Sequence, residues 1–107
     1  MSSIDAKLYS NAMIYVAYKV LNPSISKIGR SDNLLQRKKK LSSEMHTRIE
    51  FYRVWDVGDE VEALLHDYFN TYRLRGEWFN IAPHFLAPEI DYWLTQPPVW
   101  INHQMFV

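Results

Sequence analysis

The sequence predicts a small α/β (α+β) sandwich, a central, mainly antiparallel, three-stranded sheet flanked by helices in the order β-β-α-β-α-(β)-α. Three observations carry this reading. The chain has 107 residues, enough for one modest core and too few for two. Its residues are 48% hydrophobic and 15% aromatic, so it folds rather than staying disordered. Two strand-like runs precede the first helical pattern, which leaves too few crossovers for a doubly wound parallel sheet.

In chain order, residues 1–11 are polar and mixed, a lead-in to a single domain at 12–95. Met13 to Tyr18, rich in β-branched and aromatic residues, reads as the first strand. Ser26 to Arg30 reads as the second, joined to the first by a loop containing Asn22-Pro23-Ser24. Ser31 or Asp32 can cap a helix over Asn33 to Ser43, with Leu34 and Leu41 on one side, Leu35 adjacent, and Arg37-Lys38-Lys39-Lys40 on the other. Ile49 to Val57 reads as the third strand, its alternation broken by Arg53 among Ile49, Phe51, Trp55 and Val57.

The clearest helical periodicity follows: Val61, Leu64, Leu65, Tyr68, Phe69 and Tyr72 share one face of a helix that starts at Gly58-Asp59 and stops before Gly76. Gly76 to Ile81 reads as a short strand or hooked loop broken by Pro83. A last helix starts at Pro88 and closes the core with Ile90, Trp93 and Leu94. Residues 96–107, with Pro97-Pro98, Trp100 and Phe106, read as an extended tail.

The 12 basic and 12 acidic residues balance, which argues against coating nucleic acid by bulk charge but leaves room for a local basic face. The absence of cysteine excludes disulfides and thiolate-ligated metal sites. Neither a membrane-length apolar run nor a charged-then-apolar leader is present, so a soluble, cytoplasmic protein is expected.

The stretch Lys27 to Arg37, KIGRSDNLLQR, concentrates the chemistry. A hairpin of the first two strands would bring Tyr15 near Lys27, and Gly29 would let a backbone or a phosphate approach closely. Arg37 on the following helix would point over the same sheet edge. A phenol, an amine and a guanidinium converging on one concave spot suit an anionic substrate such as a phosphodiester. Each residue also has an ordinary structural reading. Tyr15 could be core, Glu62 could form a capping box with Asp59, and His66 could be the surface partner of Glu62 one turn away. The basic run could be a solvated helix face, and Arg75-Gly76-Glu77-Trp78-Phe79 could be structural, with Gly76 as a helix C-cap.

Taken together, these motifs resemble the GIY-YIG nuclease superfamily. Met13-Ile14-Tyr15 stands at the first motif, Lys27-Ile28-Gly29 at the second, Arg37 ten positions past Lys27 at the family's arginine, and Glu62 at its metal-binding glutamate. The set of KIGRS, Arg37, Glu62 with His66, and RGEWF looks most like a phage- and plasmid-associated branch, and the likeness spans Ile14 to Ile81. Two positions depart from the pattern: Met13 replaces a glycine and Lys27 replaces a tyrosine.

The resemblance implies a metal-dependent endonuclease that hydrolyses phosphodiester bonds of DNA. Glu62 would hold Mg²⁺ or Mn²⁺, Arg37 the scissile phosphate, and Tyr15 with Lys27 would activate the attacking water. His66 would position a water beside the metal or protonate the leaving group. Arg30, Ser31, Lys38, Lys39, Lys40 and Arg48 would grip the DNA backbone. The alternative is a weak or inactive module of the same fold that binds DNA or a protein partner. Trp100 and Phe106 in the tail could serve a homodimer or partner contact.

Overall fold

The computed structural model describes residues 12–96. The expectations for the lead-in and for the tail carrying Trp100 and Phe106 lie outside the described residues. Within them, β1 (Met13–Lys19) and β2 (Asn22–Ser31) form a hairpin, followed by α1 (Leu34–Met45), β3 (Ile49–Trp55) and α2 (Glu60–Tyr68). A 3-10 turn at Asn70–Tyr72 leads into β4 (Arg73–Arg75), β5 (Trp78–Phe79) and α3 (Pro83–Leu94).

The architecture is the expected α+β sandwich, but the sheet has five strands, not three, in the order β3-β1-β2-β5-β4, every pair antiparallel. The two extra strands form the β4–β5 hairpin. At three and two residues they are too short to show an alternation of their own. Tyr72 also extended the helical spacing over their approach. The helix actually stops at Tyr68, and Tyr68 and Tyr72 are exposed rather than core. Gly76 caps no helix; at φ +56° it takes the left-handed conformation in the two-residue turn between β4 and β5.

The β1–β2 connection is tighter than expected. Its turn is Val20-Leu21, and Pro23 stands inside β2, in the exposed irregular stretch between the Lys19–Asn22 and Ala17–Lys27 pairs. Asn33, not Ser31 or Asp32, caps α1, its side chain accepting from the Gln36 amide at 3.1 Å. Leu41 is buried on that helix and Leu35 is exposed.

A bulge explains the broken alternation of β3. Val16 pairs with Arg53 but Ala17 pairs with Phe51, so Tyr52 is an extra residue that switches the faces of the strand. Ile49, Phe51 and Val54 therefore pack with Tyr15, Ala17 and Leu41 under α1, while Trp55 and Val57 pack on the opposite core. Arg53 and Trp55 both reach Asp91 of α3, the indole donating at 2.8 Å. The arginine that interrupted the apolar run is a strut between sheet and last helix.

That last helix begins at Pro83, five residues earlier than expected, with Pro88 inside it. Pro88 removes one helical hydrogen bond, but Leu86, Ala87, Ile90 and Trp93 are all buried on one face and carry the helix across the gap. Together α2 and α3 cover the larger core, formed on the sheet by Ile14, Val16, Ile28 and Phe79. Tyr15 and Ala17 alternate onto the other face of β1, which α1 covers.

Candidate active site

The register of the central strands assembles the site. Tyr15 lies opposite Gly29, and Ala17 opposite Lys27, so Tyr15, Lys27 and Gly29 share the face under α1. β5 extends the sheet beyond β2 and sets Trp78 opposite Lys27. The tight turn before Trp78 then brings Glu77 onto Lys27, with Nζ to Oε1 at 2.5 Å. The lysine is nearly buried, its side chain 10% exposed against 41% for Glu77, and its ammonium also lies 5.9 Å from the centre of the Trp78 ring.

From the far side of β2, α2 contributes Glu62 and His66. The Asp59–Glu62 capping box does not form: Asp59 makes no side-chain cap and pairs instead with Arg30 at 3.2 Å. Glu62 is left to face the cluster, and one of its carboxylate oxygens, one from Glu77 and a ring nitrogen of His66 all lie within 4.8 Å of one another. Burial raises the Glu62 carboxyl above its ordinary value, and the neighbouring Glu77 charge raises it further against the pull of His66, Arg30 and Lys27. Two carboxylates and an imidazole at this spacing form a donor set that suits a divalent cation.

His66 is held by the sheet, its Nε2 2.8 Å from the Ile28 carbonyl oxygen. A carbonyl only accepts, so Nε2 carries the hydrogen and the lone pair of the neutral ring sits on Nδ1.

Tyr15 is fully buried, and its hydroxyl has no hydrogen-bond partner among the described residues. Burial pushes the phenol well above its usual range; Arg37 is the charge that opposes this, while Glu77 and Glu62 reinforce it. The phenol therefore keeps its proton at neutral pH. Arg37 is half-buried and forms no ion pair among the described residues. It lines a cleft of about 340 Å³ with Arg30, Ser31, Asp32 and Asp59, and a neighbouring one with Asn33, Gln36 and Lys40.

Of the residues expected from the sequence, Tyr15, Lys27, Glu62 and His66 gather around the middle of β2, with Arg37 near enough for its charge to act on the Tyr15 phenol. Arg30 and Ser31 join Arg37 at the cleft, although the Ser31 hydroxyl is engaged with the Asn33 backbone at 2.9 and 3.0 Å. Lys38 and Arg48 converge on Glu50 of β3 instead, at 2.8 and 3.0 Å. Lys40 is 3.9 Å from Glu44 on its own helix, and Lys39 is exposed without an ion pair among the described residues. Sequence reasoning missed Glu77 as a member of the site. Its signal was a carboxylate between a turn glycine and a Trp-Phe strand, which placement in a supposed helix cap concealed.

Residues 12–94 match the family model of the T5orf172 domain, which covers most of the chain. The chain belongs to the T5orf172 domain family. This domain is associated with phage and homing-endonuclease-like proteins and is consistent with a nuclease-like or DNA-binding module. No curated protein and no solved structure matches the chain significantly. Among the described residues of this T5orf172 domain, no helix is long and apolar enough to cross a membrane.

Proposed function

We propose that this T5orf172 domain is a metal-dependent endonuclease of GIY-YIG type that hydrolyses phosphodiester bonds of DNA. The observation that carries the reading is the gathering, around β2, of three things an anionic substrate and its cation would use. These are the buried Tyr15 phenol, without a hydrogen-bond partner among the described residues, the half-buried Arg37 guanidinium, without an ion pair among them, and the Glu62, His66 and Glu77 donors.

Glu62 would hold Mg²⁺ or Mn²⁺, and the donor set around it fits such an ion. When bound, the ion would neutralise charge on the phosphate and favour ionisation of a nearby water. Arg37 grips the scissile phosphate through a forked pair of hydrogen bonds. Tyr15, kept protonated by burial, orients the attacking water through its hydroxyl, and Lys27 adds positive charge on the same sheet face. His66, its Nε2–H held on the Ile28 carbonyl, turns Nδ1 toward the ion and the water beside it. Arg30 and Lys40 extend the grip along the DNA backbone from the cleft walls; Lys38, Lys39 and Arg48 contribute longer-range attraction that salt screens.

The second reading is a weak or inactive module of the same fold that holds DNA or a protein. The Lys27–Glu77 ion pair, standing where the superfamily pattern has a tyrosine, favours it. Cleavage of supercoiled plasmid at low salt with Mg²⁺ or Mn²⁺ separates the two. Nicking by the wild type, lost in Glu62→Ala and Arg37→Ala, supports the nuclease. An intact plasmid that still shifts in a gel supports the module.

A further inference from the structure

We propose that Glu62, His66 and Glu77 together form a three-ligand centre for a divalent transition-metal ion, with His66 binding through Nδ1. This deepens the nuclease reading and rests on it for the purpose of the ion.

The centre is assembled from elements far apart in sequence. α2 supplies a glutamate and a histidine one turn apart, and the β4–β5 turn supplies Glu77, all three donor atoms within 4.8 Å of each other. The imidazole is already oriented for ligation. Its Nε2–H donates to the Ile28 carbonyl at 2.8 Å, the outer hydrogen bond that ordinarily fixes the ring of a metal-binding histidine. The other nitrogen is thereby left with its lone pair. An independent sign that this place suits a polar ligand is the fully buried Tyr15 hydroxyl, which has no hydrogen-bond partner among the described residues and lies near enough to Glu77 and Glu62 to feel both charges.

The donor set decides the class of ion. Mg²⁺ prefers oxygen ligands and retains much of its water, so a single carboxylate would suffice for it. An imidazole beside two carboxylates instead favours ions such as Mn²⁺, Co²⁺ or Zn²⁺, with affinity rising from Mn²⁺ to Co²⁺. Without the ion, Lys27 compensates Glu77 at 2.5 Å. An incoming ion competes with that ammonium for the carboxylate, so Lys27 lowers metal affinity while keeping the empty site tolerable.

The test is calorimetric titration of the DNA-free protein with Co²⁺, Mn²⁺ and Mg²⁺ separately, together with electron spin-echo spectroscopy of Mn²⁺ bound to protein labelled with ¹⁵N-histidine. Co²⁺ should bind more tightly than Mn²⁺, and Mn²⁺ more tightly than Mg²⁺. Glu62→Gln, His66→Asn and Glu77→Gln should each weaken Co²⁺ binding by about tenfold or more, while His66→Asn should leave Mg²⁺ affinity nearly unchanged. Bound Mn²⁺ should couple to one histidine nitrogen. Lys27→Met should bind Co²⁺ more tightly than wild type, a gain that damage to the fold would not produce.

Mn²⁺ bound without histidine coupling, or Co²⁺ affinity indifferent to Glu77→Gln in a folded protein, overturns the centre. Cleavage that needs Glu62 alongside metal affinity indifferent to His66 and Glu77 removes the three-ligand centre and leaves the nuclease. Three-ligand binding without any cleavage does the reverse.

Discussion

Tyr15 lies across the backbone of Gly29. A Cβ built at Gly29 would come within 2.5 Å of both Cζ and Oη of the Tyr15 ring, and the ring is itself fully buried. The glycine of KIG is thus required by a neighbouring side chain, not by a turn. Gly29→Ala should cost about 1–3 kcal/mol of stability as the ring is forced aside. Combined with Tyr15→Ala, whose cavity alone should cost about 3–5 kcal/mol, the loss should fall short of the sum. Urea unfolding of the two single variants and the double variant checks this; strictly additive costs would contradict the contact.

Tyr15→Phe should separate stability from activity. The hydroxyl is buried without a partner among the described residues, so its removal abolishes a desolvation penalty with no hydrogen bond to lose. The variant should be as stable as wild type or more stable by up to about 2 kcal/mol, while plasmid nicking falls. Thermal melts beside a nicking assay measure both, and a clear loss of stability would point to a partner for the hydroxyl.

The Lys27–Glu77 pair is asymmetric, with side-chain exposures of 10% and 41%. Removing the glutamate strands a nearly buried ammonium, whereas removing the lysine leaves a carboxylate that water can reach. Glu77→Gln should therefore cost about 1–3 kcal/mol and Lys27→Met less than about 1 kcal/mol. Equal costs in chemical denaturation would refute this asymmetry.

Glu50 supplies the acid dependence away from the site. Hydrogen bonds from Lys38 and then Arg48 lower its carboxyl below 4.5, its ordinary value. A carboxyl with a lowered pKa in the folded state stabilises above its unfolded value and loses that contribution as pH falls through the folded one. Glu50→Gln should thus lower the melting temperature at pH 7 and converge with wild type below that acid range. A difference that persists unchanged at low pH would show that packing, not charge, is responsible.

The placement of much of the candidate site was legible because its residues sit in local patterns. Tyr15 in a β-branched run, KIGRS before a capped helix and Arg37 within that helix are short-range signals, and hydrogen bonds along the chain turn them into β1, β2 and α1 with little help from elsewhere. The composition and element order likewise pointed to a single α+β sandwich, because burying one apolar face per element admits few arrangements in a chain of 107 residues.

Other features depended on contacts between distant parts of the chain. The helical spacing of Leu64 to Tyr72 runs past the true end of α2, because a three-residue strand pairs with β5 instead of prolonging the helix. Pro88 looked like a helix start, but the burial of Leu86 and Ala87 directly before it outweighs its missing hydrogen bond. Most consequentially, Glu77 joins Lys27 across 50 positions of sequence, and the same β4–β5 turn brings it within reach of Glu62 and His66. Local periodicity records which face a residue takes, whereas strand order and register determine which faces meet, and here that meeting assembles the candidate metal site.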